Sequence, residues 1–139
     1  MATQLQECLG GVRAAARQTR GRIAVIGILP TISAQHLGPK AMTDVPRYRA
    51  LDRGLRRLRA EPFHVRIRGQ EQLSIDVNDV TAEGANTSLQ LHLRVRPDQF
   101  SRFYNAAQLA TPVALAVATN SPFFLGRHLW QETRIALFK

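Results

Sequence analysis

The sequence predicts an α+β domain, an antiparallel sheet with helices packed on one face. Two observations carry this. Residues 63–68, 72–77 and 87–95 alternate apolar with polar side chains, the period of strands with one wet face. Between and around them, residues 3–19, 46–58 and 97–118 carry apolar residues at helical spacing or without interruption.

Taken in order, residues 3–19 place Leu5, Cys8, Leu9, Val12, Ala15 and Ala16 on one helical face, interrupted by Gly10-Gly11. Cys8 on that face reads as a buried structural thiol rather than a nucleophile. Residues 23–29 form a continuous apolar run closed by Pro30, the pattern of a buried central strand. A polar loop follows over 31–44 with His36, Lys40 and Met42, long enough to be functional or mobile. Pro46 suits the first turn of the next helix, with Asp44 nearby as a cap. Tyr48, Leu51, Leu55 and Leu58 make its apolar stripe, and six arginines from Arg47 to Arg59 cover much of the rest.

Phe63, Val65 and Ile67 then alternate with His64, Arg66 and Arg68, as Leu73, Ile75 and Val77 do with Ser74 and Asp76. Gly69–Gln72 lies between, so the pair reads as a hairpin. A strand over 87–96 is expected to join that sheet. Pro97 opens another helix, packed through Phe100, Phe103, Tyr104 and Leu109, which Thr111-Pro112 should kink or restart. Residues 113–118 are apolar all round and expected to be buried; the helix should end near Asn120, with a loop over 121–126.

The chain of 139 residues bounds one domain of ordinary hydrophobic content, 45%. One cysteine excludes an internal disulfide framework and fits a reducing, cytoplasmic location. No stretch is apolar for long enough to span a membrane or act as a secretion signal. The net charge is +9, and 17 of the 19 basic residues are arginine. Such a balance suits anionic partners, since the guanidinium fork matches carboxylate and phosphate; GC-rich coding would give the same skew. Phosphate loops, dinucleotide-binding glycine motifs and zinc-ligand spacings are absent.

Ser88, Gln90, His92 and Arg94 line the polar face of the 87–95 segment, either as a floor for a polar ligand or as a solvated strand face. The order of motifs carries more. Thr87-Ser-Leu-Gln-Leu-His92, then Tyr104-Asn-Ala-Ala-Gln108, Asn120-Ser-Pro-Phe123 and Leu129-Trp-Gln-Glu-Thr-Arg134 resembles the glutamate–cysteine ligase family and its carboxylate–amine ligase relatives. Upstream, Gly27-Ile-Leu-Pro30, Met42 and Arg47-Tyr48 resemble the same family's G-x-x-P, M and R-Y positions. The resemblance runs from about Ile23 to the C-terminus and implies part of a glutamine-synthetase-like ligase fold.

That resemblance implies ATP and Mg2+ as cofactors, and an acyl phosphate attacked by an amine, in glutathione-type biosynthesis. Such chemistry needs positioning, magnesium and positive charge near the moving phosphoryl group. On the matching positions, Gln90, His92, Ser88 and Asn120 would orient substrate or nucleotide, and Arg134 and Arg47 would contact anions. Glu132 and Glu83 are the candidate metal carboxylates, with structural or solvated roles as the alternative. Asn120 also reads as a helix cap, and Trp130 as a packing anchor. The implied small molecules are glutamate and an amine such as cysteine.

The chain also departs from the family. Relatives are longer, and their N-terminal E-x-E pair for magnesium has no counterpart, since the first thirty residues contain Glu7 as their only acid. The expectation is an incomplete piece of a larger ligase catalytic domain, inactive alone, with a partner chain supplying the rest of the site. Exposed sheet edges and self-association would accompany such a piece. The alternative is a basic nucleic-acid-binding or protein-interaction module built on the arginines of 46–60 with Arg66, Arg68, Arg94 and Arg96.

Overall fold

The computed structural model describes residues 2–59 and 61–138. Helices α1 (Ala2–Gln18), α2 (Pro46–Leu58), α3 (Thr81–Gly84), α4 (Phe100–Ala118) and α5 (Arg134–Leu137) combine with two small antiparallel hairpins. The first hairpin pairs β1 (Phe63–Arg68) with β2 (Gln72–Val77), and the second pairs β3 (Phe123–Phe124) with β4 (Arg127–His128). The fold class is α+β with antiparallel sheet, as the alternation and helical spacing predict.

The core gathers on one face of the first hairpin. Ile67, Leu73 and Val77 are buried there together with Ile28, Ala82, Phe124 and Leu129. Their neighbours Arg66, Arg68, Ser74 and Asp76 face outward, so the two-residue period separates core from solvent as expected. His64 pairs with Asp76 directly across the outer face.

The turn of this hairpin docks onto the second. Gln70 and Glu71 donate backbone N–H groups to the carbonyls of Leu129 and His128, at 3.2 and 2.8 Å. In return, the His128 amide and the Arg127 guanidinium donate to the Glu71 carboxylate at 2.7 and 3.1 Å. These bonds hold the Glu71 carboxyl below the usual glutamate range, the His128 amide contributing most. Trp130 adds an indole N–H bond to the Arg68 carbonyl at 2.8 Å, an anchoring role. Gly69 allows the close approach, because a Cβ there would lie 2.5 Å from the Leu129 carbonyl.

The 31–44 loop is not featureless. Single 3₁₀ turns form at Ala34–His36 and Pro39–Ala41, and Gly38 donates its N–H to the Thr81 hydroxyl at 2.8 Å. Pro46 opens α2 as expected; Val45, not Asp44, is the N-cap, and Asp44 pairs with Arg49 instead.

Several expectations are corrected. Residues 87–96 form no strand and join no ladder, and Leu89, Leu91 and Leu93 are 80%, 56% and 64% exposed. Alternation encodes the extended conformation, but a ladder also needs a neighbour, and no described strand lies alongside. The 23–29 run is likewise no central strand: only Ile28 bridges, to Asn86, and Val25 and Leu29 are exposed. Helix α4 runs unbroken through Pro112, and its 113–118 end lies open with Val113 and Val117 exposed. An all-apolar helix is buried only where something covers it, and no described residue covers this one. Cys8 is exposed, not buried, because α1 packs on little else. The expected loop over 121–126 contains β3.

Candidate functional site

Four segments far apart in sequence meet around Arg134. The 26–28 and 86–87 segments join through the antiparallel Ile28–Asn86 bridge and the Thr87 N–H to Gly27 carbonyl bond at 2.8 Å. The Thr87 hydroxyl reinforces this by donating to the carbonyls of Ile26 and Gly27, at 2.8 and 3.0 Å. Residues 120–121 join residues 131–133 through a parallel Ser121–Glu132 bridge, with Ser121 donating to Gln131 and Thr133 donating to Ser121. Gly27 links the two halves by donating to the Asn120 carbonyl at 3.4 Å.

Arg134 closes the assembly. Its Nε and Nη2 donate to the two carboxylate oxygens of Glu132, both at 2.5 Å, and its Nη1 donates to the Thr87 carbonyl at 2.6 Å. The Ser121 hydroxyl donates to the same Glu132 carboxylate. Ser121, Glu132 and Thr133 are buried, and the Arg134 side chain is 20% exposed. Gly27 is required here: a Cβ would stand 2.6 Å from Asn120 Oδ1 and 2.9 Å from the Arg134 guanidinium carbon.

Electrostatics follow from this contact. The Arg134 guanidinium holds the Glu132 carboxyl below the usual glutamate range, with the Ser121 hydroxyl adding to it against the opposing effect of burial. Glu132 in turn raises the Arg134 pKa. A guanidinium carries five N–H donors, and three are used, so two remain uncommitted among the described residues. Close by in sequence, Asn86 has its side-chain amide buried with neither Oδ1 nor Nδ2 hydrogen-bonded to a described residue. A buried unpartnered amide is uncommon and marks a polar position suited to a ligand.

The expected site residues distribute unevenly. Glu132 and Arg134 are in direct contact, Asn120 borders Gly27, and Ser88 directly follows Thr87. Gln90 and His92 are exposed on the segment beyond, on one face and within 3.3 Å of each other. Arg47 turns onto its neighbour, donating to the Tyr48 hydroxyl at 3.0 Å and lying 4.7 Å above that ring. Tyr48, Met42 and His36 line a separate cavity of about 350 Å³. Glu83 is exposed on α3 and lines another groove with Phe63 and His64. Neither Arg47 nor Glu83 makes a hydrogen bond or ion pair to the Arg134 assembly among the described residues. Asn86 was not singled out from sequence, its only signal being adjacency to Thr87, and Ser121 stood within the Asn120–Phe123 motif without a role of its own.

Both Glu132 oxygens already accept from Arg134, and Ser121 adds a third bond, so three donors within the chain already hold the carboxylate. Among the described residues, no group of three or more His, Cys, Asp or Glu stands close enough to hold a metal ion. The residues as arranged do not fit a magnesium site.

The chain is therefore an α+β protein whose separated sequence motifs converge on a Glu–Arg pair with a buried carboxylate. Its sequence matches the family described as Glutamate-cysteine ligase family 2 (GCS2) over residues 1–139, and it belongs to that family. Neither the comparison with curated proteins nor that with solved structures returned a match. No helix among the described residues is long and apolar enough to cross a membrane.

Proposed function

We propose that this chain takes part in ATP-dependent carboxylate–amine ligation of the glutamate–cysteine type, contributing substrate-orienting groups on the 87–92 segment beside Arg134. Family membership over the whole chain supports the ligase class. The observation that carries the site is the convergence of the 27, 87, 120 and 132–134 segments, which makes a rigid base for Ser88, Gln90 and His92. Arg134 offers its two remaining N–H donors to a substrate carboxylate or phosphate, while Glu132 fixes the guanidinium plane. ATP would supply the phosphoryl group that activates the carboxylate, and carboxylates for a metal ion on that nucleotide would have to come from a partner chain. Glutamate is the carboxylate substrate, an amine such as cysteine the acceptor, and glutathione-type biosynthesis in the cytoplasm the setting.

Calorimetric titration with ATP–magnesium, with and without glutamate, tests this. Saturable binding that tightens with glutamate and weakens in Gln90→Ala and His92→Ala is expected. Both residues are exposed, so these variants leave the fold intact. Binding indifferent to glutamate and to both substitutions overturns the reading. ATP hydrolysis with glutamate, cysteine and magnesium is expected to be absent for the chain alone, and robust turnover would refute that part.

A further inference from the structure

The end of α1 carries a feature unrelated to the Glu132–Arg134 assembly. The helix closes with a Schellman motif: Gly21 donates to the Ala16 carbonyl at 2.8 Å and Arg20 to the Arg17 carbonyl at 3.1 Å. The position that must be left-handed is normally glycine, because a Cβ there is strained. Here it is Arg20, at φ 55°, with the glycine displaced to the next position. The reversal carries Arg20 and Arg22 back beside Arg13 and Arg17, which stand one turn apart on the helix. Together with Gly21 and Ile23, these four arginines line an open surface concavity of about 450 Å³, and all six residues are exposed.

None of the four arginines forms an ion pair among the described residues, although six ion pairs occur elsewhere. Glu7 is the only acid in the first forty-three residues. Four guanidinium groups around one concavity repel one another, and a multivalent anion relieves that repulsion while accepting paired N–H bonds. The lining holds no aromatic side chain on which a base could stack.

We infer that the arginine cavity at the C-terminal end of α1 is a binding site for a linear polyphosphate chain, of the triphosphate kind. It does not rest on the ligase reading and shares no residue with that site. The left-handed backbone of Arg20 places a fourth arginine along the lining of this concavity.

The test is calorimetric titration of the full chain with inorganic triphosphate, without magnesium. Saturable one-to-one binding is expected, and Arg13→Gln with Arg17→Gln should weaken it about tenfold or more. Arg57→Gln with Arg102→Gln removes the same charge from exposed positions elsewhere and should leave affinity within about threefold. Equal losses in the two pairs would mean attraction by bulk charge alone and would overturn the site. Arg20→Gly separates binding from folding: it relieves the left-handed strain, so Tm should hold or rise while affinity falls. Unchanged affinity in that variant refutes the assignment. Equal affinity for magnesium-free ATP and inorganic triphosphate identifies the phosphate chain as the ligand; a preference for ATP beyond about tenfold transfers recognition to the nucleoside and overturns it.

Discussion

Replacing Glu132 by glutamine keeps the side chain's shape and removes its charge at the centre of the assembly. The carboxylate accepts from Arg134 at two 2.5 Å contacts and from the Ser121 hydroxyl. An amide offers one acceptor oxygen and turns an N–H₂ toward a donor, so at least one charge-assisted bond is lost. Arg134 then keeps its Thr87 contact and one neutral acceptor in a mostly buried position. Removing one partner of a buried pair costs about 3–5 kcal/mol, and the partial exposure of Arg134 places this case near the lower end. With a urea dependence of about 1–3 kcal/mol per molar, the unfolding midpoint should fall by about 1–3 M. The single tryptophan, Trp130, is the fluorescence reporter, and its indole is bonded to Arg68 beside the docked hairpins. A midpoint shift below about 0.3 M would refute the view that the pair latches the fold. The double variant Glu132→Leu with Arg134→Met should lose less than the sum of the single losses, because no charge is left unpaired. Acid gives the same readout. The Glu132 pKa is lowered in the folded chain, so its contribution is complete above the ordinary glutamate value of about 4.3 and drains away as pH falls through the lowered one. Glu132→Gln should lose that part of the acid dependence.

Other substitutions probe the close approaches and the open faces. Gly27→Ala drives a Cβ against Asn120 and the pinned Arg134, and should destabilise by about 1–3 kcal/mol in thermal melts. By contrast Gly10→Ala meets nothing within 4 Å inside α1 and should stabilise that helix by about 0.5–1 kcal/mol. Gly69→Ala should cost at least as much as Gly27→Ala, because the obstruction is Leu129 backbone at 2.5 Å, which cannot rotate away. Leu91→Lys should reduce concentration-dependent light scattering, with stability changed by less than about 0.5 kcal/mol, since this side chain is 56% exposed on an unpaired segment.

Local pattern alone determined the hairpin of β1 and β2, the helix opened by Pro46, and the α+β class; Pro97 opens a 3₁₀ turn, Pro97–Gln99, that leads into α4 at Phe100. In each case the signal is the geometry of a single segment: a two-residue period, a fixed proline φ, a helical stripe. The ordered motifs also pointed to the residues that gather at Arg134. What they did not carry was how those residues pair. Glu132 reads equally well as a metal ligand or a structural acid in sequence, and only the fold brings Ser121 and Arg134 onto its carboxylate. Burial was legible only where a covering element exists. The apolar face of 87–95 and the apolar runs 23–29 and 113–118 have the composition of interior surface, yet these side chains lie largely open because no described element packs over them. Apolar composition records a tendency to leave water, and tertiary structure decides whether a partner surface is there to receive it.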